Sequence, residues 1–324
     1  MGKSIRIYLA DGNAIGIRHA EIVNWTGQAL ACPRSRFADL REWPEVKRPG
    51  VYFLFGTDEQ SQEPMAYIGE AEVVLDRVAT HLSQKAFWSE LVAFTNKDEN
   101  LTKSHVRYLE ARLISQALST RRYTLDNTTS PQLPLLPRPD RDAMEEYLDS
   151  VRTLLGALGH RVLEPLLGQL SEAPPQSDGA SSQTTPPVES GSGERAAIVV
   201  WPPRRDMYQL KVSGILATAM QTDEGLVVVA GSQAAASDQP SLSNGYRALR
   251  QKLLDQGVLE KDGTALRFSR NQRFASPSQA AAVIVGYAIN GRKEWRLPDG
   301  RTLADREQQV SAELLRDLAR ESDG

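Results

Sequence analysis

The sequence predicts a protein of the α/β class, of the α+β type, arranged as two small domains. Short segments of strand length are either wholly apolar or alternate between apolar and polar residues, and amphipathic segments of helical length lie between them. Both kinds of segment occur in the first part of the chain and again in the second part. A segment rich in Pro, Ser, Gly, Thr and Gln separates the two occurrences at residues 172–195. At 324 residues, the chain is also too long for one ordinary hydrophobic core.

The first domain is predicted to begin with strands and to continue with helices. Residues 50–55 form an unbroken apolar run, which is typical of a strand buried on both faces, and residues 65–69 form its partner in a hairpin with a long loop. The other predicted strands are residues 4–10, 20–25 and 28–33. The predicted helices are residues 70–83, 85–94 and 103–119.

We divide the chain into four parts. Residues 1–138 form a domain with an N-terminal β extension, and residues 139–171 form a connecting helix whose apolar residues recur at helical spacing. Residues 172–195 have too few apolar side chains to offset the entropy of ordering, so we expect a flexible linker. Residues 196–324 form a second α+β domain, with strands at 196–201 and 225–230, helices at 243–256 and 276–285, and a polar, turn-rich end.

Composition excludes several classes of protein. The single cysteine, Cys32, rules out an internal disulfide and a cysteine-rich zinc site. No apolar run approaches the ~20 residues that span a bilayer, so we expect no membrane association and a cytoplasmic location. The net charge of −3 argues against a basic coat for nucleic acid.

Basic residues nevertheless concentrate between residues 261 and 301. Aromatic residues interleave with them, which is typical of a nucleic-acid surface, although the same rings could be core and the same charges a solvated face. The basic residues are Lys261, Arg267, Arg270, Arg273, Arg292, Lys293, Arg296 and Arg301.

Two tyrosines on the predicted hairpin are candidates for chemistry. Tyr52 and Tyr67 lie on paired strands and can project toward one spot. A free phenol, with a pKa near ~10, is a poor base at neutral pH and needs a neighbouring cation or metal. On residue type alone, buried strand tyrosines are far more often core side chains with satisfied hydroxyls.

Arg77 and His81 are four residues apart on the following helix, so they share one face. Arg77 has the planar donors that clamp a phosphate, and His81 can shuttle a proton. The alternative is a chance pair on a solvated helix face.

Glu110 falls inside the apolar stripe of the helix at 103–119, so its carboxylate should be partly buried and needs compensation. Either a divalent cation such as Mg²⁺ (or Mn²⁺) or a salt bridge to Arg77, Arg107 or Arg121 would supply it. Asn127 follows that helix and could be an ordinary turn residue.

These elements occur in an order that resembles the GIY-YIG nuclease family. Gly50-Val51-Tyr52 and Tyr67-Ile68-Gly69 correspond to the two triplets, followed by Arg77 with His81, by Glu110 and by Asn127, over about residues 48–130. Val51 replaces the usual isoleucine. The triplets are further apart than is usual, which we assign to an enlarged loop at residues 56–64.

The resemblance implies a three-stranded antiparallel sheet flanked by helices, and a magnesium-dependent endonuclease that hydrolyses DNA. It makes Glu110 the metal ligand, Tyr52 the base or part of it, and Tyr67 a holder of phosphate or water. It makes Arg77 the stabiliser of charge in the transition state, His81 an aid to proton transfer, and Asn127 a support for the glutamate or a phosphate. Residues 274–303 are similar to an uncharacterised domain often found behind bacterial GIY-YIG domains.

Two other functions remain open. One is a catalytically idle DNA-binding or interaction protein that keeps the fold, and the other is action on RNA or a nucleotide. The biological pathway, the sequence specificity and the oligomeric state are not set by the sequence, although a monomer with one site would nick DNA and a dimer could cut both strands.

Overall fold

The computed structural model describes residues 2–58, 63–128, 131–164, 207–223 and 225–322. It confirms the α+β class, since antiparallel sheets flanked by helices occur in both halves of the chain. The predicted linker at 172–195 and the predicted strand at 196–201 lie outside the described residues.

The first half is built on a seven-stranded sheet in the order β1-β2-β3-β6-β4-β5-β7. All neighbouring strands are antiparallel except β5 and β7, which are parallel. The strands are β1 Ile5–Leu9, β2 Arg18–Ile22, β3 Gly27–Pro33, β4 Gly50–Thr57, β5 Pro64–Ala71, β6 Trp88–Asn96 and β7 Thr124–Leu125. Two 3₁₀ helices, Arg34–Glu42 and Pro44–Lys47, connect β3 to β4.

Three helices complete this half: α1 Val74–Gln84, α2 Lys103–Thr120 and α3 Arg138–Ala157. Helix α1 packs on one face of the sheet, in the core that contains Tyr52 and Leu54. Helices α2 and α3 pack on the other face, with Val51 and Phe53. Successive residues of β4 therefore serve opposite cores, as the twofold repeat of a strand requires.

One predicted helix is wrong, because residues 85–94 contain most of strand β6 instead. The apolar residues of that segment do follow a helical spacing. In the structure, β6 lies between β3 and β4 with both faces covered, and every residue from Leu91 to Asn96 is buried. A central strand of that kind needs apolar side chains on both faces, so it loses the alternation that identifies a strand.

The hairpin loop is shorter than predicted, since strand pairing continues beyond the two triplets. Gly56 pairs with Met65 and Thr57 pairs with Pro64. The greater separation of the two tyrosines therefore comes from longer strands, and only residues 58–63 connect them.

The predicted connecting helix also differs. Helix α3 ends at Ala157, two residues before Gly159, whose φ of +100° is a conformation that favours glycine. Its apolar face, including Leu148, Val151 and Leu155, belongs to the core of the first sheet. The helix is thus part of the first domain, and residues 165–171 lie outside the described residues.

The second half contains two small antiparallel sheets. One has the order β14-β10-β9-β8 and the other β11-β13-β12. The strands are β8 Met207–Val212, β9 Ile215–Thr222, β10 Gly225–Val228, β11 Gln233–Ala235, β12 Leu259–Asp262, β13 Ala265–Phe268 and β14 Gln272–Phe274. The helices are α4 Asn244–Asp255, α5 Pro277–Val285, α6 Gly291–Glu294 and α7 Leu303–Ser322.

Helix α7 was not predicted from the sequence, and it joins the two halves. Leu314 of α7 is 1% exposed and belongs to the core around α1. The hydroxyl of Ser311 donates to the carbonyl of Ala79 on α1 at 2.8 Å. The two halves are therefore in direct contact through α1 and α7. Within the parts of the chain that the structure describes, no helix combines the length and apolar character that a membrane span requires.

Candidate active site

The hydroxyl of Tyr52 lies beneath strand β5, and the residue of β5 above it must be glycine. Tyr52 is fully buried and pairs in register with Gly69. A Cβ placed on Gly69 would lie 2.5 Å from both Cζ and the hydroxyl oxygen of Tyr52. The last residue of the Tyr67-Ile68-Gly69 triplet thus makes room for the last residue of the Gly50-Val51-Tyr52 triplet.

Tyr52, Tyr67 and His81 form a compact aromatic group on the α1 side of the sheet. The hydroxyl of Tyr52 is 2.9 Å from Nε2 of His81. The ring of Tyr67 lies 6.1 Å from that of Tyr52 and 5.1 Å from that of His81, measured between centroids. Three residues predicted from the sequence are therefore in mutual contact.

The environment of this group favours neutral forms. Burial, and then the positive charges of Arg77 and Lys85, lower the pKa of His81 to about 4. Burial is also the largest influence that raises the pKa of the Tyr52 phenol, while the charge of Arg77 and a hydrogen bond with it act in the opposite direction. At neutral pH, His81 is an uncharged imidazole that can accept a proton, and Nδ1 of its ring is buried without a hydrogen-bond partner among the described residues.

Arg77 is exposed on α1, and its charge acts both on the tyrosines and on Glu110. Hydrogen bonds with Tyr52 and Tyr67 contribute to a raised pKa of its guanidinium, against the opposing effect of burial. The same guanidinium lowers the pKa of Glu110 on α2. Helices α1 and α2 lie on opposite faces of the sheet, and β5 is the strand between them. The charge of Arg77 therefore acts on the tyrosines on one face of the sheet and on Glu110 on the other face.

Glu110 is half-buried, as its place in the apolar stripe of α2 predicts. Burial, and then repulsion from Glu70, raise the pKa of Glu110 to about 7, and a backbone hydrogen bond from Glu70 opposes this. Arg107, one of the partners expected for Glu110, pairs with Glu70 at 3.7 Å between Nε and Oε1. Glu70 was not predicted as a site residue, although it directly follows the second triplet.

The side-chain amide of Asn127 pairs with the backbone of strand β5. Its Oδ1 accepts from the backbone N–H of Ile68 at 3.0 Å, and its Nδ2 donates to the carbonyl of Ile68 at 2.7 Å. The amide thus continues the pairing of β5 beyond the two residues that β7 supplies. Asn127 thus fixes the backbone beside Tyr67, and the contact with the glutamate or a phosphate that the resemblance implies stays a prediction.

Several arginines of the basic stretch at residues 261–301 are held in ion pairs. Arg267 pairs with Asp262 at 2.5 Å, and Arg301 pairs with Asp299 at 2.7 Å. Arg292 is buried against Glu307. The aromatic residues Phe268 and Phe274 are core side chains of the second half. The expected nucleic-acid surface therefore has fewer free cations than the sequence suggested.

Comparison with known proteins gives one match. Residues 208–307 match a family model described as Domain of unknown function (DUF4357), from the second residue of β8 to the second turn of α7. No curated protein and no solved structure matches the chain. The match is compatible with an uncharacterised C-terminal domain, and the resemblance of residues 48–130 to the GIY-YIG family stays a prediction. The C-terminal half thus contains a region that is similar to the Domain of unknown function (DUF4357).

Proposed function

We propose that the protein is a metal-dependent endonuclease that hydrolyses phosphodiester bonds in DNA. The observation that supports this best is the group formed by Tyr52, Tyr67, His81 and Arg77, with Glu110 coupled to it through the charge of Arg77. Phosphodiester hydrolysis needs a proton acceptor for the attacking water and positive charge beside the phosphate. The described residues of the site offer both.

Tyr52 and His81 would carry the proton from the attacking water. As the water oxygen bonds to phosphorus, its proton would pass to the phenolic oxygen of Tyr52 while the phenolic proton passes to Nε2 of His81. The 2.9 Å contact between these atoms supports that path. A phenol with a raised pKa is a poor base alone, so the neutral imidazole is what makes Tyr52 competent.

Arg77 would stabilise the negative charge that develops on the phosphate. Its guanidinium is exposed and always charged, and a planar set of donors matches two phosphate oxygens. Its contacts with Tyr52 and Tyr67 orient it before substrate arrives. Such preorganised donors contribute more to catalysis than mobile ones.

Glu110 is suited to hold a divalent cation. A half-buried carboxylate whose pKa is raised by burial and by a second carboxylate is stabilised by a nearby positive ion. Among the described residues, no group of three or more His, Cys, Asp or Glu side chains is arranged to hold a metal. Glu110, with the carboxylate of Glu70 near it, fits Mg²⁺ or Mn²⁺, because these ions keep several waters and bind through one or two carboxylates and the substrate phosphate. When bound, the ion would supply a Lewis acid at the phosphate.

The test is a plasmid-nicking assay with purified full-length protein, with Mg²⁺ or with EDTA. We expect nicking that requires Mg²⁺ and that falls almost to background in Glu110→Ala. Glu146→Gln is the matched control, because Glu146 is an exposed carboxylate on α3 and its loss should leave the rate unchanged.

Near-wild-type nicking by Glu110→Ala would exclude the proposed chemistry. Binding of the plasmid without any nicking would instead favour the idle DNA-binding protein. A single-stranded RNA substrate in the same assay tests action on RNA. A protein that cleaves this RNA but does not nick the plasmid would be a ribonuclease and not the proposed DNA endonuclease.

A further inference from the structure

Lys85 lies over the aromatic ring of Tyr67. Lys85 is the C-terminal cap of α1, four residues after His81. Its Nζ lies 4.0 Å from the centroid of the Tyr67 ring. A cation at this distance over an aromatic face is attracted by the ring quadrupole. Lys85 therefore restrains the ring of Tyr67 as well as adding a charge next to His81.

Asp126 holds the side chain of Lys85 in this place. The ammonium of Lys85 is 2.5 Å from Oδ2 of Asp126, and both side chains are at most one-third exposed. The backbone N–H of Asp126 donates to the carbonyl of Ala66 at 2.8 Å. Because Ala66 and Tyr67 are adjacent on β5, the carboxylate that fixes Lys85 is tied to the strand that carries Tyr67.

The backbone of Lys85 is held from both sides. Its N–H donates to the carbonyl of His81 at 3.0 Å, which closes the last turn of α1. Its carbonyl accepts from the buried guanidinium of Arg34 at 2.8 Å. The backbone of Lys85 is held by these two hydrogen bonds, and its ammonium is held by Asp126, so Lys85 is a rigid support for Tyr67. Such restraint is unusual for lysine, because a long side chain loses much conformational entropy when it is ordered.

We propose that Lys85 is a positioning residue for the hydrolysis, which holds the ring of Tyr67 against His81 and is itself held by Asp126. This inference rests on the proposed endonuclease function. Lys85 lies outside the motif of the GIY-YIG resemblance, so only the structure brings it to the site.

The charges around His81 give a second way to detect Lys85 in the site. The groups that face its ring are Tyr52 from β4, Tyr67 from β5, Arg77 and Lys85 from α1 and its cap, and Asp126 from the segment after β7. The positive charge of Lys85 lowers the pKa of His81, while the negative charge of Asp126 raises it. Lys85 thereby favours the uncharged form of His81 at neutral pH.

The kinetic test compares Lys85→Met with Lys85→Arg in the nicking assay. We expect Lys85→Met to lower kcat by about 2- to 30-fold, the range that corresponds to one lost cation–π contact, with KM little changed. Lys85→Arg keeps the charge and the pairing with Asp126, and it should restore most of the rate. Lys97→Met is the control, because Lys97 also pairs with a carboxylate at the surface of the first sheet but faces Glu21.

The second test measures the titration of His81 by NMR in the metal-free full-length protein. The chain has four histidines, and His81 is identified by the signal missing in His81→Asn. We expect Lys85→Met to move the midpoint of His81 above the wild-type value of about 4, and Asp126→Asn to move it below.

The double variant Lys85→Met/Asp126→Asn removes the ion pair without leaving a lone charge. It replaces the single variants in the assay if either of them fails to fold. It should still show the reduced kcat. Wild-type kcat together with an unmoved His81 midpoint in Lys85→Met would overturn the inference, even if the protein cuts DNA. Absence of any cutting by the wild type, with the two midpoints moved as expected, would instead count against the endonuclease and leave the contact of Lys85 with the site intact.

Discussion

Arg77 is the residue whose charge reaches every other group of the site. It acts on Tyr52, Tyr67, His81 and Glu110. We expect Arg77→Ala to lower kcat by on the order of 10²–10³-fold, the usual effect of losing one contact to a developing oxyanion. Arg77→Lys should recover only part of this, because an ammonium lacks the planar pair of donors. Single-turnover cleavage of a labelled duplex measures both.

Arg152→Ala is the control for this prediction, since Arg152 is a partly exposed arginine on α3 that pairs with Asp149. Its rate should equal that of the wild type. An equal loss in Arg152→Ala and Arg77→Ala would mean that general loss of positive charge, and not the place of Arg77, causes the effect.

Some of the contacts around the candidate site follow from local patterns in the sequence. Strand pairing predicted that Tyr52 and Tyr67 project toward one spot, helical spacing predicted that Glu110 is partly buried, and the structure has both. Lys85 and Glu70 were missed because each lies outside the regular pattern: one caps a helix and the other follows a triplet. Their roles depend on which side chains the fold brings to them, and a single sequence does not encode that in its spacing.

At the scale of single elements, the pairing of β4 with β5 determines where the phenol of Tyr52 lies. Gly69→Ala would place a methyl group 2.5 Å from the hydroxyl of Tyr52, and the two cannot both keep their positions. We expect the variant to lose about 1–3 kcal/mol of unfolding free energy, as overpacked cores do, and to lose nicking activity because Tyr52 moves away from His81. Urea unfolding and the nicking assay measure the two effects.

Gly156→Ala is the comparison for Gly69→Ala. Gly156 lies in α3, where an added Cβ meets only the side chain of Glu164 at 3.0 Å. Alanine is the better helix former, so this variant should be as stable as the wild type or more stable. If Gly69→Ala behaves in the same way, the close approach of Tyr52 to β5 is not present in solution.

The elements that the sequence placed correctly are those with strong local signals. Helix α5 begins at Pro277, and the side chain of Ser276 accepts from the N–H of Gln279, as the Ser-Pro pair predicts. Strand β6 was assigned to a helix because its burial on both faces arises from neighbours far away in the sequence. Helix α7 was missed for a related reason, since its contacts with the first half, through Leu314 and Ser311, are made to a helix far away in the sequence.

At the scale of the whole molecule, the contact between the halves changes the expected role of the C-terminal domain. The flexible linker expected at residues 172–195 suggested a second domain that is free to move relative to the first. In the structure, Arg292 of the C-terminal half donates to the carbonyl of Ala86, next to Lys85. The C-terminal half therefore supports the end of α1, the helix that carries Arg77 and His81.

Glu307 is the residue on which this contact depends most. Its carboxylate lies between Arg34 of the first half, at 3.0 Å, and Arg292, and all three side chains are at most 14% exposed. Burial lowers the pKa of Arg34 to about 10, and the charge of Glu307 opposes that effect. Because removal of one partner leaves buried charges uncompensated, we expect Glu307→Gln to lower the unfolding free energy by about 3–5 kcal/mol. Glu313→Gln, on the exposed face of α7, should change it by less than about 0.5 kcal/mol.

The way in which the chain unfolds makes this prediction specific to the interface. If the ion cluster couples the halves, the wild type should unfold in urea in one transition by both near-ultraviolet and far-ultraviolet circular dichroism. Glu307→Gln should separate this into two transitions, because each half keeps its own core around Val92 or Phe268. Two transitions already present in the wild type and unchanged in Glu307→Gln would mean that the halves are independent in solution. The C-terminal domain could then not act on α1 through this contact.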